Sequence, residues 1–352
     1  MADTLRFGII GCGVIGSVHA EAIASLPAAQ LVAVTDSIQT NAQKLVGRYG
    51  SKAYTSLQEM LDREELDVVN ICTPSGKHRE HACAAIRSGR HVIIEKPIEI
   101  TLPAIDEIVR AQQEMGVKLA VISQHRFDPA ALQVHALVEE HIFGRLVLGN
   151  AIVPWWRSQA YYDSGAWRGT WALDGGGVLM NQSIHSIDIL QWLMGPVKSL
   201  YAYTDRLAHR METEDVAVAI LRFKNGALGA IAATTGAYPG VTTRIEVFGD
   251  QGSAVIENDE LAYLHLARDD AEKVGAYGTS STADKRLVEG GAPANNPAAL
   301  SSNSHALQIA DMIRAIHEDG NPLVDGYAAR HPVEIILGIY QSARTRQEVT
   351  FP

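Results

Sequence analysis

Leu5-Arg6-Phe7-Gly8-Ile9-Ile10-Gly11-Cys12-Gly13-Val14-Ile15-Gly16 lies almost at the start of the chain, and its reading decides the fold. Leu5 to Ile10 is a short apolar run of strand length, and Val14 to Leu26 continues as a helix, so three glycines occupy a strand-to-helix turn. The first glycine, Gly11, permits the tight turn. The second, Gly13, lets a pyrophosphate approach the backbone, and the third, Gly16, lets helix and strand pack closely. A helix opening at Val14 and Ile15 then presents free amides and a positive dipole end to phosphates. The spacing is a dinucleotide fingerprint only in this context, because glycine turns are common.

Asp36 supplies the context. It ends the next apolar run, Leu31 to Thr35, 20 residues after Gly16, where a carboxylate accepts hydrogen bonds from ribose hydroxyls. The competing reading is a strand-ending acid at the surface. Ser37, Ile38, Gln39 and Thr40 include no arginine or lysine, so a ribose 2′-phosphate would meet a carboxylate without a cation. NAD is therefore favoured over NADP, with Ser37 a further cofactor-side candidate that leaves the choice open.

Outward from this unit the same alternation continues. A helix-like segment ends near Tyr49, and strands are expected at Asp67 to Cys72, His91 to Glu95 and Leu119 to Ser123. Helices are expected at Lys77 to Ser88 and at Thr101 to Met115, the latter with an N-cap threonine and a stop at Gly116. Strand, helix, strand implies an α/β fold with a doubly wound parallel sheet over residues 1–125. Residues 126–352 form a second domain. Strands there are expected at Leu146 to Val153, Ser199 to Thr204, Val216 to Phe223, Ala227 to Thr234, Arg244 to Phe248, Ser253 to Ile256 and Leu261 to Leu266. Asn225-Gly226 between two of them signals an antiparallel hairpin. The stretch from Asp270 to Asn303 reads as a long loop, followed by a helix at Ala306 to Ile316 and a last one at Ala328 to Thr345.

The 352 residues are enough for two domains, and 47% hydrophobic with 20% charged residues is a globular composition. A net charge of −10 argues against nucleic-acid backbone binding, since no basic stripe is available to displace counterions. Three cysteines, Cys12, Cys72 and Cys83, show no zinc-type spacing and point to a reducing, cytoplasmic setting. No signal peptide or membrane span is read, and partners are expected to be small molecules or protein chains. His78 and His81 with Cys83 lack a complete ligand set, so no metal is expected.

A dinucleotide cofactor implies hydride transfer, and a hydride leaving an alcohol carbon needs a base for the hydroxyl proton and a stabiliser for the developing alkoxide. Asn181 and His185 stand four residues apart on the apolar segment Val178 to Met194, which a regular helix would present on one face. His185 is the candidate acceptor, Asn181 a substrate anchor and Asp188 a partner for the imidazole; a hydrogen-bonded core histidine is the alternative. Lys96, at the C-terminal end of a parallel strand, is the candidate cation, and Glu95 a cofactor-side candidate. Trp155, Trp156, Trp167 and Trp171 crowd together with Arg157, Tyr161, Tyr162 and Arg168, as a sugar platform or as an interface. Arg126 and His305 are further substrate contacts, and Gln124 a cofactor contact.

Two more motifs, Ile71-Cys72-Thr73-Pro74 with His78 and Glu95-Lys96-Pro97, bring the chain close to a known family. With the glycine fingerprint, Trp167-Arg168-Gly169 and Gly175-Gly176-Gly177 leading to Asn181, His185 and Asp188, it resembles the glucose-fructose oxidoreductase, inositol dehydrogenase and MocA family. The resemblance implies a Rossmann domain and a domain with a large, open, mostly antiparallel sheet that builds homodimers or homotetramers. It implies oxidation or reduction of a secondary alcohol on a sugar, cyclitol or nucleotide sugar. Lys96 and His185 are implied to face the nicotinamide and the reacting hydroxyl. Thr73, Pro74, His78, Trp167 and Arg168 are implied near the cofactor, and the Lys96–Pro97 bond is implied to be cis. Many relatives carry aspartate where this chain has Asn181, which removes a carboxylate-assisted relay from that position. A glycoside-cleaving enzyme using tightly held NAD and a non-catalytic sugar sensor are the other functions found on this pattern.

Overall fold

The computed structural model describes residues 4–267 and 302–352. Contacts group the chain into two compact units. The first comprises Met1–Gln124, Thr170–Gly175 and Asn296–Val333; the second comprises His125–Gly169, Gly176–Asn295 and Glu334–Pro352.

The first unit runs β1 (Leu5–Ile10), α1 (Val14–Ser25), β2 (Ala29–Thr35), α2 (Gln39–Tyr49), β3 (Lys52–Tyr54), α3 (Leu57–Arg63), β4 (Val68–Ile71), α4 (His78–Arg87), β5 (His91–Ile94), α5 (Leu102–Met115) and β6 (Leu119–Val121). All strand pairs are parallel, in the order β3-β2-β1-β4-β5-β6. Phe7, Ile9, Val34, Val68 and Ile93 are fully buried, which is why these strands read as continuous apolar runs rather than alternating ones. Each such side chain contributes about 1.5–3 kcal/mol by leaving water. The order reverses between β1 and β4, so the crevice at their C-terminal ends is where such a sheet takes a ligand. The short β3 and α3 have no counterpart in the sequence reading.

The second unit contains α6 (Pro129–Glu139), β7 (Leu146–Pro154), α7 (Gln159–Asp163), α8 (Ile184–Met194), β8 (Val197–Asp205), β9 (Val216–Phe223), β10 (Leu228–Thr234), β11 (Arg244–Gly249), β12 (Gly252–Glu257) and β13 (Glu260–Leu266). Its eight-stranded sheet has the order β13-β12-β11-β7-β10-β9-β8-β14, where β14 is Val349–Thr350. Every pair is antiparallel except β7 with β10. The β9–β10 hairpin turns at Asn225-Gly226 as expected, with Gly226 at φ 93° and the Asn225 side chain accepting the Ala227 N–H.

The two faces of this sheet differ. Ala151, Val153, Ile245 and Val247 point inward, where α8 packs against β7 and β11. On the other face Tyr203, Val218, Ala232 and Ile152 stand in register across β8, β9, β10 and β7, and Tyr203 and Val218 are 67% and 49% exposed.

Two helices precede the last strand: α9 (Ser302–His317) and α10 (Gly326–Thr345). α9 belongs to the first unit, where Ile309, Met312 and Ile313 join the core around Ala20, Ile23 and Leu31. It starts earlier than Ala306, so Asn303 is helical and not loop; residues 270–301 of the expected loop lie outside the described residues. The expected single regular helix over Val178–Met194 is also corrected. Val178–Ser183 forms a wider π-helical turn before α8 begins, and such turns recur at functional sites.

Candidate functional site

The glycine loop has the geometry the fingerprint requires. Gly11 sits at φ 91°, and a Cβ there would fall 2.4 Å from the Cys72 carbonyl oxygen. A Cβ on Gly16 would fall 2.0 Å from the Gly11 carbonyl oxygen, so α1 and β1 approach more closely than any side chain permits. A Cβ on Gly13 would meet nothing within 4 Å: the loop is open on the side where a pyrophosphate would lie. Gly13 is the N-cap of α1 without a side-chain cap, and the neighbouring Val14 is 62% exposed. These are the features of a phosphate cradle, and they fit a dinucleotide.

Asp36 is aimed by the backbone. Its Oδ2 accepts the Cys12 N–H and its Oδ1 the Ile38 N–H, each at 2.7 Å. Each oxygen keeps a second lone pair, so the carboxylate retains acceptor capacity toward a ribose. Burial and the neighbouring Asp36 charge push the Cys12 thiol up to about 12, and Cys12, Cys72 and Cys83 are free and buried. Thr73 follows β4 with its Oγ1 buried and without a hydrogen-bond partner among the described residues, a second feature that suits a ligand at this edge.

The Glu-Lys-Pro segment is held from several sides. The Lys96–Pro97 bond is cis. His78 places Nδ1 2.8 Å from the Pro97 carbonyl and Nε2 2.8 Å from the Thr73 carbonyl, tying the two motif loops together. Both ring nitrogens of His78 thus face carbonyls of the motif loops. Glu99 accepts the Arg79 and Ile100 N–H groups nearby.

Glu95 is buried at the end of β5, and its Oε2 accepts the Lys96 N–H at 3.0 Å. Its Oε1 lies 2.9 Å from His19 Nε2 and 3.5 Å from His305 Nε2. Burial opposes ionisation, but the hydrogen bonds from His19 and His305 outweigh it and hold the Glu95 carboxyl well below the usual range. Burial likewise lowers His19, and the Asn70 amide donates to its Nδ1, which assigns the proton to Nε2. His305, read as a substrate contact at a helix start, lies buried beside Glu95 in the first turn of α9.

In the second unit Gly176 and Gly177 have a steric cause. A Cβ on Gly177 would overlap the Glu214 carbonyl oxygen at 1.8 Å, and one on Gly176 would lie 2.0 Å from the Tyr340 hydroxyl. The Glu214 carboxylate accepts the Gly177 and Leu179 N–H groups and the Tyr340 hydroxyl, securing the start of the π-helical turn. Burial outweighs these donors and pushes Glu214 up to about 7. Asn181 and His185, both half-buried, follow on this turn and the first turn of α8.

Arg126 is buried and bidentate on Asp188, with Nε to Oδ2 at 2.8 Å and Nη2 to Oδ1 at 2.6 Å, and it stacks over Trp192. Arg126, read as a substrate contact, and Asp188, read as a partner for His185, are thus joined to each other in one ion pair. The ring beside His185 is His125, with centroids 5.0 Å apart and planes at 78°. Asp128 and Asp259 both approach His125 Nδ1, at 2.8 and 3.2 Å. Burial would lower His125, but hydrogen bonds to the two carboxylates push it up to about 10.

The aromatic crowd resolves into an alternating stack. Arg157 lies over Trp155 and Tyr161, and Arg168 over Tyr161 and Trp167, with guanidinium-to-centroid distances of 4.4 to 5.4 Å. Arg168 and Gln182 both donate to the Tyr161 hydroxyl. Trp156 packs on Tyr238 instead, and Trp171 is 47% exposed in the first unit. Gln124 is buried where the first unit's main segment ends, and Ser37 is exposed beside Asp36. His19, His125 and Glu214 went unread in the sequence; only His19, one turn past the fingerprint on α1, carried a positional signal.

Comparison with known proteins agrees with this architecture in both halves. Residues 5–123 match the oxidoreductase family with an NAD-binding Rossmann fold, and residues 131–255 match the GFO/IDH/MocA C-terminal domain. The chain is 32% identical to the WlbA dehydrogenase of Bordetella pertussis, solved in complex with NADH and UDP-GlcNAcA; the superposition covers 99% of each chain with a TM-score of 0.86. It is 27% identical over 288 residues to the myo-inositol 2-dehydrogenase of Thermotoga maritima, covering 78% of this chain and 81% of that protein. It is 35% identical over 213 residues to the D-glucoside 3-dehydrogenase of Escherichia coli, covering 58% of each. Matched in both halves and along its length, the chain belongs to the Gfo/Idh/MocA family of oxidoreductases.

Proposed function

We propose that this oxidoreductase is an NAD-dependent dehydrogenase acting on a secondary hydroxyl of a sugar, cyclitol or nucleotide sugar. The observation that carries the reading is the open cradle at Gly13, bounded by the close approaches at Gly11 and Gly16 and faced by the aimed carboxylate of Asp36. The cradle residues with Val14 and Ile15 would hold the pyrophosphate, and Asp36 the adenosine ribose. Thr73, Pro74, Gln124, Trp167 and Arg168 are the further cofactor-side residues. NAD, when bound, supplies the acceptor for the substrate's hydride.

The chain's own residues supply the rest. His185 accepts the hydroxyl proton, and Lys96 stabilises the oxygen as negative charge develops on it. Asn181 anchors a substrate hydroxyl, and Arg157 and Tyr161, joined in one stack, are further substrate contacts. The relatives support the substrate class: WlbA was solved with a nucleotide sugar, and the names of the other two are those of inositol and glucoside dehydrogenases. The exposed apolar row on the second unit's sheet supports a homodimer or homotetramer assembled through that face, and the buried free thiols support a cytoplasmic setting.

Sugars, inositols and nucleotide sugars, each with NAD, test the reading by absorbance of reduced nicotinamide. A stoichiometric build-up of free NADH with one class is the expected result. Bond cleavage in a glycoside without release of free NADH would replace it with the glycoside-cleaving function, and binding without any turnover with the sensor.

A further inference from the structure

We propose that Glu214 is a positioning residue for Asn181: it takes three successive backbone N–H groups at the start of the π-helical turn, and that turn sets where Asn181 stands relative to His185. The inference rests on the reading of Asn181 as the substrate anchor.

The widened turn over Val178–Ser183 runs directly into α8 at Ile184. A π turn closes its hydrogen bonds over five residues instead of four, so it holds one residue more than a regular turn, and it is rare. Here one residue accepts from three consecutive amides. Glu214 Oε2 takes the Gly177 N–H at 3.0 Å, its main-chain oxygen the Val178 N–H at 3.0 Å and its Oε1 the Leu179 N–H at 2.9 Å. Gly177 permits the middle contact, since a Cβ there would fall 1.8 Å from the Glu214 main-chain oxygen. At the other end the Ser183 hydroxyl donates to the Val178 carbonyl at 2.8 Å, five residues back, which matches the span of the turn.

Glu214 is itself held in place. Tyr340 of α10 donates to Oε1 at 2.9 Å, and the carboxylate of the next residue, Asp215, accepts the N–H groups of Leu207, Ala208 and His209. All these groups belong to the second unit. Without the clamp the segment can relax to a regular helix, which drops the extra residue and turns Asn181 by up to about 100° around the axis relative to His185, the advance of one residue. An anchor for one substrate hydroxyl is lost through such a rotation. Protonating Glu214 leaves the clamp intact, because Oε1 can donate to the Tyr340 oxygen and still accept the Leu179 N–H. A glutamine cannot do the same: whichever way its amide turns, its NH2 faces a backbone N–H.

The first readout is the crystal structure of Glu214→Gln without cofactor. The widened turn is expected to be lost and Asn181 to be rotated relative to His185; a turn retained with Asn181 in place would overturn the inference. Should that variant not fold, Glu214→Asp is read in the same way, its shorter side chain being unable to span Gly177 and Leu179. The second readout is kinetic, with the compound that yields NADH in the panel of sugars, inositols and nucleotide sugars. KM is expected to rise about two- to tenfold, the scale of one hydrogen bond, with kcat within about twofold of the parent. In a double variant with Asn181→Ala, KM is expected to rise no further than in Asn181→Ala alone. Additive effects on KM would overturn the inference, because Glu214 would then act on substrate by another route. If the turn is lost in the crystal structure while Asn181→Ala alone leaves KM unchanged, the hold of Glu214 on the turn stands and the reading of Asn181 as the anchor is what fails.

Discussion

The Asp36 carboxylate accepts the backbone N–H of Cys12 at 2.7 Å, so the acid at the end of β2 is fastened to the glycine loop at the end of β1. This fastening fixes a negative charge where an adenosine ribose would lie, with no arginine or lysine among residues 37–40. Direct titration is expected to give NAD roughly tenfold or more tighter than NADP, and Asp36→Ala to weaken NAD by about the 1.5–3 kcal/mol of hydrogen bonds to a charged group. Tighter binding of NADP would refute the assignment.

The Arg126–Asp188 pair is buried, and removing one partner leaves an uncompensated charge. Asp188→Asn or Arg126→Ala is expected to lower stability by about 3–5 kcal/mol in urea unfolding, while replacing both with apolar residues of similar volume recovers much of the loss. Losses below about 1 kcal/mol in the single variants would show that the pair is solvated.

Glu214 gives stability a pH dependence whose sign follows from its raised value. Folded, it titrates at about 7 against an ordinary 4.5, so between these values the native state holds a proton that the unfolded chain has released. Its contribution is complete below 4.5, falls by about 3 kcal/mol as pH rises to 7, and is level above. Unfolding followed from pH 4.5 to 7.5 is expected to show this fall in the parent protein and to lose most of it in Glu214→Gln.

The exposed face of the second unit's sheet, with Tyr203, Val218 and Ile220, is the one assigned to subunit contact. Light scattering at micromolar concentration is expected to show a dimer or tetramer, and Ile220→Lys to shift it toward monomer. A monomeric parent protein would remove the proposal.

The parallel sheet was legible because its strands are buried on both faces and separated by helices with ordinary stops, as at Gly116. What escaped was short or distant. α3 has seven residues, too few for periodicity, although Ser56 caps it by accepting the Glu59 N–H. The π-helical turn over Val178–Ser183 is invisible to a pattern that assumes regular helix, because Glu214, far along the chain, secures its start. Of the site, the glycines, Asp36 and the Lys96–Pro97 segment were readable from local motifs. The partners of His305, Arg126 and His125 were not, since each is chosen by tertiary packing: Glu95 for the first, Asp188 for the second, Asp259 from a hairpin tip for the third.

The roles of Lys96 and His185 are best decided by measuring turnover, NAD affinity and thermal stability on the same preparations of Lys96→Ala and His185→Ala. Turnover is expected to fall by about two orders of magnitude or more in each, with NAD affinity nearly intact and the fold retained, the scale for losing an acid–base or oxyanion-stabilising group. Replacing Asn181 should mainly raise KM. A well-folded His185→Ala enzyme with near-normal turnover would contradict the proposal and return His185 to the role of a core histidine.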